Sequence, residues 1–302
     1  MNIYIDNISI EIKDKRKSIL EVALENGIYI PHLCYHPDID TSDDIRSSGV
    51  VYQGGKPREG REGIPFEGCN LCLVEIEGRD GLHRSCKTVI EDGMRIITSS
   101  PSIDEARKEN IGKILADHPH ACLICAQSSG CDRKLCSSQI PEQERCCFKF
   151  GLCELQKVAE YIGLEKGIPE YKPVDIPVLE EPLINRDYRL CIGCLRCVRA
   201  CRDLRGADAL AFTVIDGKVV VGSKEATLRD SGCQFCGYCV EVCPTGALSD
   251  KDLDLASSEG ELVPCKSSCP VSMDIPVYVS YLRDGNLKVA ALTLLNSAPF
   301  VN

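Results

Sequence analysis

Two cysteine runs constrain this chain more than any other feature. Cys191-x2-Cys194-x2-Cys197-x3-Cys201 and Cys233-x2-Cys236-x2-Cys239-x3-Cys243 repeat one spacing, and Pro244 follows the second. This is a spacing by which protein thiolates hold a pair of [4Fe–4S] clusters. Two residues between ligands let a tight loop put three thiolates on one face of a cubane. The fourth cysteine, three residues on, starts a helix and points at the other cluster. The expected ligand sets are therefore crossed: Cys191, Cys194, Cys197 and Cys243 for one cluster, Cys233, Cys236, Cys239 and Cys201 for the other. Gly193 and Gly237 fall where the backbone must pass close to sulfide. Pro244 suits the turn after the last ligand, whereas the first run has Arg202 there. Two four-cysteine zinc sites are the competing reading, but such sites normally lack the third closely spaced cysteine.

The chain carries 21 cysteines in 302 residues, a density that means either a disulfide framework or metal. The N-terminus, MNIYIDNISIEIKDKRK, alternates apolar and polar residues and reads as a strand pair, not as a signal peptide. No apolar run approaches the length of a membrane span. Metal sites in a reducing, cytoplasmic setting follow as the expectation. The net charge of −10 comes without a basic stripe among aromatics, which argues against nucleic acid as a partner. No membrane partner is expected either.

The class expected from the pattern is α+β. Ile3 and Ile5, then Ile8, Ile10 and Ile12, alternate around an Asp6-Asn7 turn. Ser18 to Glu25 has helical spacing and ends at Gly27. Residues 44–67, rich in Gly, Arg, Glu and Ser, read as a surface loop. Leu71–Glu77 and Met94–Thr98 read as strands, giving a β-grasp domain over residues 1–99. Ser102 and Glu105 form a candidate capping box for a helix whose face carries Ile103, Ala106, Ile111, Ile114 and Leu115. It opens a cysteine-rich segment, 100–164, closed by a second helix, Glu154 to Ile162. Four prolines mark a linker over 165–182. The two cysteine runs occupy a domain at 183–250, and a tail at 262–302 reads as two short helices separated by Gly285.

The domain at 183–250 thus looks like a bacterial two-[4Fe–4S] ferredoxin. Cys34, Cys69-x2-Cys72 and Cys86, in IPHLCYHPDI, GCNLCLVEIEG and SCKTVIEDGM, resemble the [2Fe–2S] site in the N-terminal domain of the complex I large subunit and its relatives. Thirteen residues separate Cys72 from Cys86, but 34 separate Cys34 from Cys69. An insertion of roughly two dozen residues therefore sits in the polar stretch, and a surface loop absorbs such length at small entropic cost. His32 and His36 read as packing or hydrogen-bonding residues, and His83 as a strand-end residue.

His118-x3-Cys122-x2-Cys125-x5-Cys131 resembles the [4Fe–4S] motif of the same family in which one histidine joins three cysteines. His120 lies in reach, but only His118 has the three-residue gap. A neutral imidazole in place of a thiolate should raise the cluster's potential. In the family the last ligand precedes an acidic residue and Leu-Gln. Cys131 has the spacing and Cys153, in CELQKVAEYIGL, has the context, so either closes the site on this reading. Four cysteines then remain among Cys131, Cys136, Cys146, Cys147 and Cys153. They are a ligand set for one further Fe–S cluster or a structural zinc, with buried thiols as the alternative. The adjacent pair Cys146-Cys147 weakens a single site, because neighbouring side chains tend to point apart.

The tail, PCKSSCPVSMDIPVYVSYLRDGNLKVAALTLLNSAPF, resembles the start of the helical Fe–S domain in the glutamate synthase small subunit family. That family includes the large subunit of NADH-dependent ferredoxin:NADP⁺ transhydrogenases. Cys265 and Cys269 match its first Cys-x3-Cys-Pro. In relatives this domain leads into FAD and NADPH domains, and no G-x-G-x-x-G occurs in this sequence. The resemblance implies the N-terminal part of a longer polypeptide, with FAD beyond it and FMN in a partner.

Together these resemblances imply one [2Fe–2S] and three [4Fe–4S] clusters in the linking subunit of a flavin-based NADH/NADPH/ferredoxin oxidoreductase. Electron bifurcation is one form such a complex takes. The implied partners are an FMN/NADH-binding flavoprotein subunit and a small [2Fe–2S] subunit of complex I type, with ferredoxin as a further candidate. No residue reads as a general acid, base or nucleophile. The alternatives are the Fe–S arm of an NAD-linked [FeFe]-hydrogenase or a formate dehydrogenase, and a zinc-stabilised scaffold.

Overall fold

A computed structural model describes the chain except residues 41–44, 128–130, 132–135, 165–170, 172, 174–175, 177, 181–183, 251–268, 270, 272, 284 and 298–302. The described residues form two compact units that do not follow the linear order of the motifs. One is built from residues 1–45 and 66–175, the other from 46–65 and 176–302.

In the first unit β1 (Asn2–Ile5) and β2 (Ile8–Glu11) form an antiparallel hairpin. Asp6 and Asn7 both take left-handed backbone angles, φ 47° and 67°. That is the two-residue turn whose twist matches the strands. Helix α1 (Ile19–Glu25) starts on a capping box: Ser18 Oγ accepts from the Glu21 amide, and the Glu21 carboxylate accepts from the Ser18 amide at 2.6 Å. Ile19, Leu20, Val22 and Ala23 on α1 pack with Ile3, Ile5 and Ile10 in one core.

The chain then leaves this unit. Residues 44–67, expected as a surface loop, contain a hairpin of β3 (Val50–Gln53) and β4 (Lys56–Glu59). Gly54 and Gly55 turn it with φ of 63° and 73°. The polar composition hid two short strands whose pairing partner lies far along the sequence. Returning, β5 (Leu73–Ile76), β6 (His83–Arg84) and β7 (Arg95–Ile97) complete a five-stranded sheet of order β2-β1-β7-β5-β6. Only β1 and β7 run parallel in it.

Helix α2 (Pro101–Ala116) begins earlier than the Ser102–Glu105 box implied. Ser100 is the cap, its Oγ accepting from the Ile103 amide, and Pro101 takes the first helical position. Proline is favoured there because its missing N–H would be unpaired in any case. Helix α3 (Glu154–Ile162) is capped by Cys153, whose Sγ accepts from the Gln156 amide at 3.4 Å.

The second unit holds β8 (Leu179–Glu180) and β9 (Ile184–Arg186), which join β12 (Leu248–Asp250) in a three-stranded sheet. Between them come α4 (Arg196–Arg199), β10 (Leu210–Ile215), β11 (Lys218–Ser223) and α5 (Tyr238–Glu241). The inserted hairpin extends the β10–β11 pair into a sheet of order β10-β11-β3-β4. Gln53 Nε2 donates to the Val221 carbonyl at 2.8 Å, the Ser48 amide to Phe212 at 2.8 Å and the Arg61 amide to Val214 at 2.9 Å. In the tail, α6 (Ile275–Arg283) and α7 (Leu287–Ser297) pack against each other on either side of Gly285.

Candidate metal centres

In the first unit Cys34, Cys69, Cys72 and Cys86 come together although 34 residues separate the first two. Cys34 shares hydrogen bonds with the thiols of Cys69 and Cys86, and Cys86 bonds in turn to Cys72. Three devices hold them. The β5–β6 pairing aligns Leu73 with Arg84, and the Ser85 amide donates to the Cys72 carbonyl at 2.9 Å. Gly68, at φ 85°, brings the backbone within 3.7 Å of Cys34 Sγ, measured from where a Cβ would stand. Arg107 on α2, buried, donates to the carbonyls of Leu71 and Leu73 at 3.0 and 2.8 Å, while Asn110 donates to Asn70 at 2.8 Å. The sequence reading missed Arg107 and Asn110. Their only local signal was a polar pair at i and i+3 on an otherwise apolar helical face.

The protonation of these thiols reflects their crowding. The Cys34 bond and burial push Cys69 well up, and bonds to Cys34 and Cys72 push Cys86 up. The bond from Cys86 lowers Cys72. Four sulfurs this close with little water tolerate few negative charges unless a cation sits among them. A [2Fe–2S] cluster supplies that cation, so the donor set fits one.

In the second unit the two cysteine runs line two cavities, and each run gives one member to the other's cavity. Cys191, Cys194, Cys197 and Cys243 line the first. Cys201, Cys233, Cys236 and Cys239 line the second. Left-handed residues turn the loops: Leu195 at φ 61° in the first run and Phe235 at φ 51° in the second. Backbone amides point at sulfur, Ala209 to Cys201 and Phe235 to Cys233, both at 3.3 Å. Such N–H···S bonds stabilise thiolate and tune a cluster. Gly193, at φ 65°, has a second constraint besides cluster approach, because a Cβ there would stand 2.9 Å from Val219 on β11. Burial pushes Cys191 up to about 12 and also raises Cys194, Cys197, Cys201 and Cys239. The donor chemistry and the water-poor walls fit [4Fe–4S] clusters. Loading releases the thiol protons and is therefore favoured as pH rises.

In the segment that joins α2 to α3, Cys122, Cys125, Cys131 and Cys136 line one cavity. His118 and His120 are buried, each with Nδ1 at 2.9 Å from a backbone carbonyl, that of Pro119 and that of His118 respectively. Neither histidine lines that cavity. Cys146 bonds to Cys122, and its amide donates to Cys122 Sγ at 3.3 Å. Cys147 lies near enough to Cys153 to raise it, but burial is the main cause that pushes Cys153 up to about 11. Cys131 and Cys136 thus share a cavity with Cys122, to which Cys146 bonds, while Cys147 lies beside Cys153. Cys269 is half-buried, and Cys265 lies outside the described residues.

Among the described residues no three His, Cys, Asp or Glu side chains are arranged around a single metal ion. Zinc needs its sulfurs about 2.3 Å from one point. In a cubane each thiolate takes a different iron, so the ligands ring a cavity instead.

Known proteins agree on the chemistry. Residues 1–101 match the family model described as a 2Fe-2S iron-sulfur cluster binding domain. Residues 190–247 match a 4Fe-4S dicluster domain. The chain is built on iron–sulfur domains. It is 30% identical over 285 residues to an NADH-quinone oxidoreductase subunit of Rhizobium meliloti, an alignment covering 90% of this chain and 27% of that protein. It is 34% identical over 194 residues to an NADP-reducing hydrogenase subunit of Solidesulfovibrio fructosivorans, covering 61% of this chain and 28% of that one. The chain thus spans about a quarter of the length of these curated relatives, which are subunits of NAD(P)H-linked oxidoreductases. Its fold is similar to a chain in the crystal structure of an NAD⁺-reducing [NiFe]-hydrogenase in the H2-reduced state. The TM-score is 0.60 and the identity 24%, over 85% of this chain and 90% of that one. Among the described residues no helix is long and apolar enough to cross a membrane.

Proposed function

We propose that this chain is an electron-transfer part of a multi-subunit NAD(P)H-linked oxidoreductase. On this reading it carries single electrons between an FMN flavoprotein and a FAD/NADPH module or ferredoxin. The observation that carries the reading is the crossed pairing of two cysteine runs around two separate cavities, in a chain that also gathers a four-thiol set at Cys34, Cys69, Cys72 and Cys86. The names of the relatives support the NAD(P)H-linked setting.

Bound clusters would supply one-electron chemistry, and the chain's own residues do the rest. Cysteines fix each cluster through one thiolate per iron corner, or two per iron in the [2Fe–2S] case. Leu210 borders both dicluster cavities, and with Val221 and Leu228 it keeps water away. Amides at Ala209 and Phe235 hold the sulfurs in place and stabilise their charge. The chain needs no proton donor or nucleophile for this task, since hydride transfer belongs to the flavins.

Replacing Cys236 with Ser in the assembled complex tests the proposal. Electron flow from NADH to the final acceptor should fall at least about tenfold, while reduction of the partner's flavin by NADH, which lies upstream, should persist. Unchanged overall turnover would take these clusters off the pathway. A second reading, the Fe–S arm of an NAD-linked hydrogenase, is favoured by the 34% identity to a hydrogenase subunit. Hydrogen-dependent reduction of NAD(P)⁺ by the purified complex would select it.

A further inference from the structure

We infer that Ser85 donates its hydroxyl to the Cys72 thiolate and thereby raises the potential of the [2Fe–2S] cluster held by Cys34, Cys69, Cys72 and Cys86. The strand pair fixes its place. β5 and β6 align Val74 with His83 and Leu73 with Arg84, so the next step of that register sets Ser85 opposite Cys72. Residues directly opposite in an antiparallel pair have Cβ atoms about 5 Å apart. The backbone is pinned from both sides without help from the side chain. The Ser85 amide donates to the Cys72 carbonyl at 2.9 Å, and the Leu20 amide of α1 donates to the Ser85 carbonyl at 3.0 Å. Ser85 has no exposed surface. Its Oγ makes no full hydrogen bond while Cys72 is a thiol, yet it lies close enough to that sulfur to favour the thiolate there. An unmet buried hydroxyl is costly, and alanine would fill the same place without that cost. The hydroxyl finds its acceptor once the sulfur beside it is an anion.

Bonds to its sulfur lower Cys72, first from the Cys86 thiol and then from the Cys86 amide and Ser85. Cys86 gives up its thiol proton when it too binds iron. That bond then disappears, and the amide and the Ser85 hydroxyl remain as donors to Cys72. When the cluster takes up one electron no proton moves, but negative charge on the ligand sulfurs grows. Each donor to those sulfurs therefore holds the reduced form more strongly than the oxidised one. Ser85 acts through Cys72 and is not itself a ligand, which makes it a positioning residue. The inference rests on the reading of these four thiols as a [2Fe–2S] site. Iron content and the EPR signal of the parent protein test that reading, whereas the difference between parent and variant tests this one.

The full chain in its complex, purified anaerobically, is compared with its Ser85→Ala variant by EPR-monitored redox titration. At the parent's midpoint the ratio of oxidised to reduced [2Fe–2S] cluster should rise about fivefold in the variant, roughly 40 mV at about 59 mV per tenfold for one electron. Iron and acid-labile sulfide should stay at the parent's level, and the midpoints of the other clusters should not move. Those two readings also report that the variant is folded. Resonance Raman gives a second measurement, because losing a donor to a ligand sulfur should shift the iron–thiolate stretching bands of the [2Fe–2S] cluster. A merely space-filling serine would leave both the midpoint and the bands where they are. An unchanged midpoint, an equal shift in every cluster, or loss of the [2Fe–2S] iron in Ser85→Ala would overturn the inference.

Discussion

Arginine is seldom buried, because a guanidinium gives up strong hydration unless something anionic or polar replaces it. Among its described residues the dicluster unit buries four: Arg186, Arg196, Arg199 and Arg205. Two of them, Arg186 and Arg205, line the cavity of Cys201, Cys233, Cys236 and Cys239, whereas the cavity of Cys191 is lined by no arginine or lysine among the described residues. Arg205 lies 4.0 Å over the Tyr238 ring, and Arg186 Nη1 donates to the Tyr188 hydroxyl at 3.0 Å. Positive charge favours the more negative, reduced state of a nearby cluster and so raises its potential. Removing it in Arg205→Gln should lower the potential of the Cys233-run cluster by something on the order of tens of millivolts. The other cluster should barely move. An EPR-monitored redox titration reads both; equal shifts, or none, would deny Arg205 this role. Nothing in the sequence distinguished these arginines from surface ones, because burial of a charged residue depends on partners brought in from other segments.

At the scale of the element, β11 links the inserted hairpin to a cluster loop. Val219 packs against Gly193 between Cys191 and Cys194, and Val221 lines that run's cavity. On the far side Ser223 pairs with Tyr52 of β3, and a Cβ at Gly222 would stand 2.5 Å from the Tyr52 carbonyl oxygen. That glycine is required for space and not for its backbone angle. Gly222→Val should force β3 away and cost at least about 2 kcal/mol through overpacking. The EPR line shape of the Cys191-run cluster should change with it. A melting temperature and spectrum equal to the parent's would show that β3 does not support this loop. The elements whose signals are local were legible: the β1–β2 hairpin from its alternation and turn, α1 from its helical spacing and the stop at Gly27, α3 within its stated bounds. The start of α2 was misread by two residues because Ser102 and Glu105 mimic a box that Ser100 and Pro101 pre-empt. Arg107, the residue that ties α2 to the Cys69–Cys72 loop, is marked in the sequence only by its i, i+3 spacing to Asn110.

Taken as a whole, the chain visits its second unit twice, at 46–65 and again from 176. The ligand spacing of the cysteine runs could be read because it is written within a dozen residues. The crossing of β3 with β11 could not, since those strands lie some 170 residues apart and neither carries a long apolar run. A domain boundary drawn from motifs alone therefore cuts the wrong bonds. A fragment of residues 176–302 keeps all eight dicluster cysteines but loses what 46–65 supplies: Gln53 to the Val221 carbonyl, Ser48 to Phe212 and Arg61 to Val214. These three hydrogen bonds alone, at about 1 kcal/mol each, give a penalty of roughly 3 kcal/mol, before counting the bonds of Ser48 Oγ to Phe212 and Ser223 Oγ to Tyr52 or the apolar surface laid bare on β11. For a unit of this size that corresponds to a fall in Tm of about 10 °C. Joining residues 46–65 to the same fragment through a flexible linker should restore most of it, since the hairpin carries its own Gly54-Gly55 turn. Calorimetry on the two fragments, each in the metal-free state, decides the matter. If 176–302 alone melts as high as the joined form, the hairpin is a passenger on that sheet and not part of its structure.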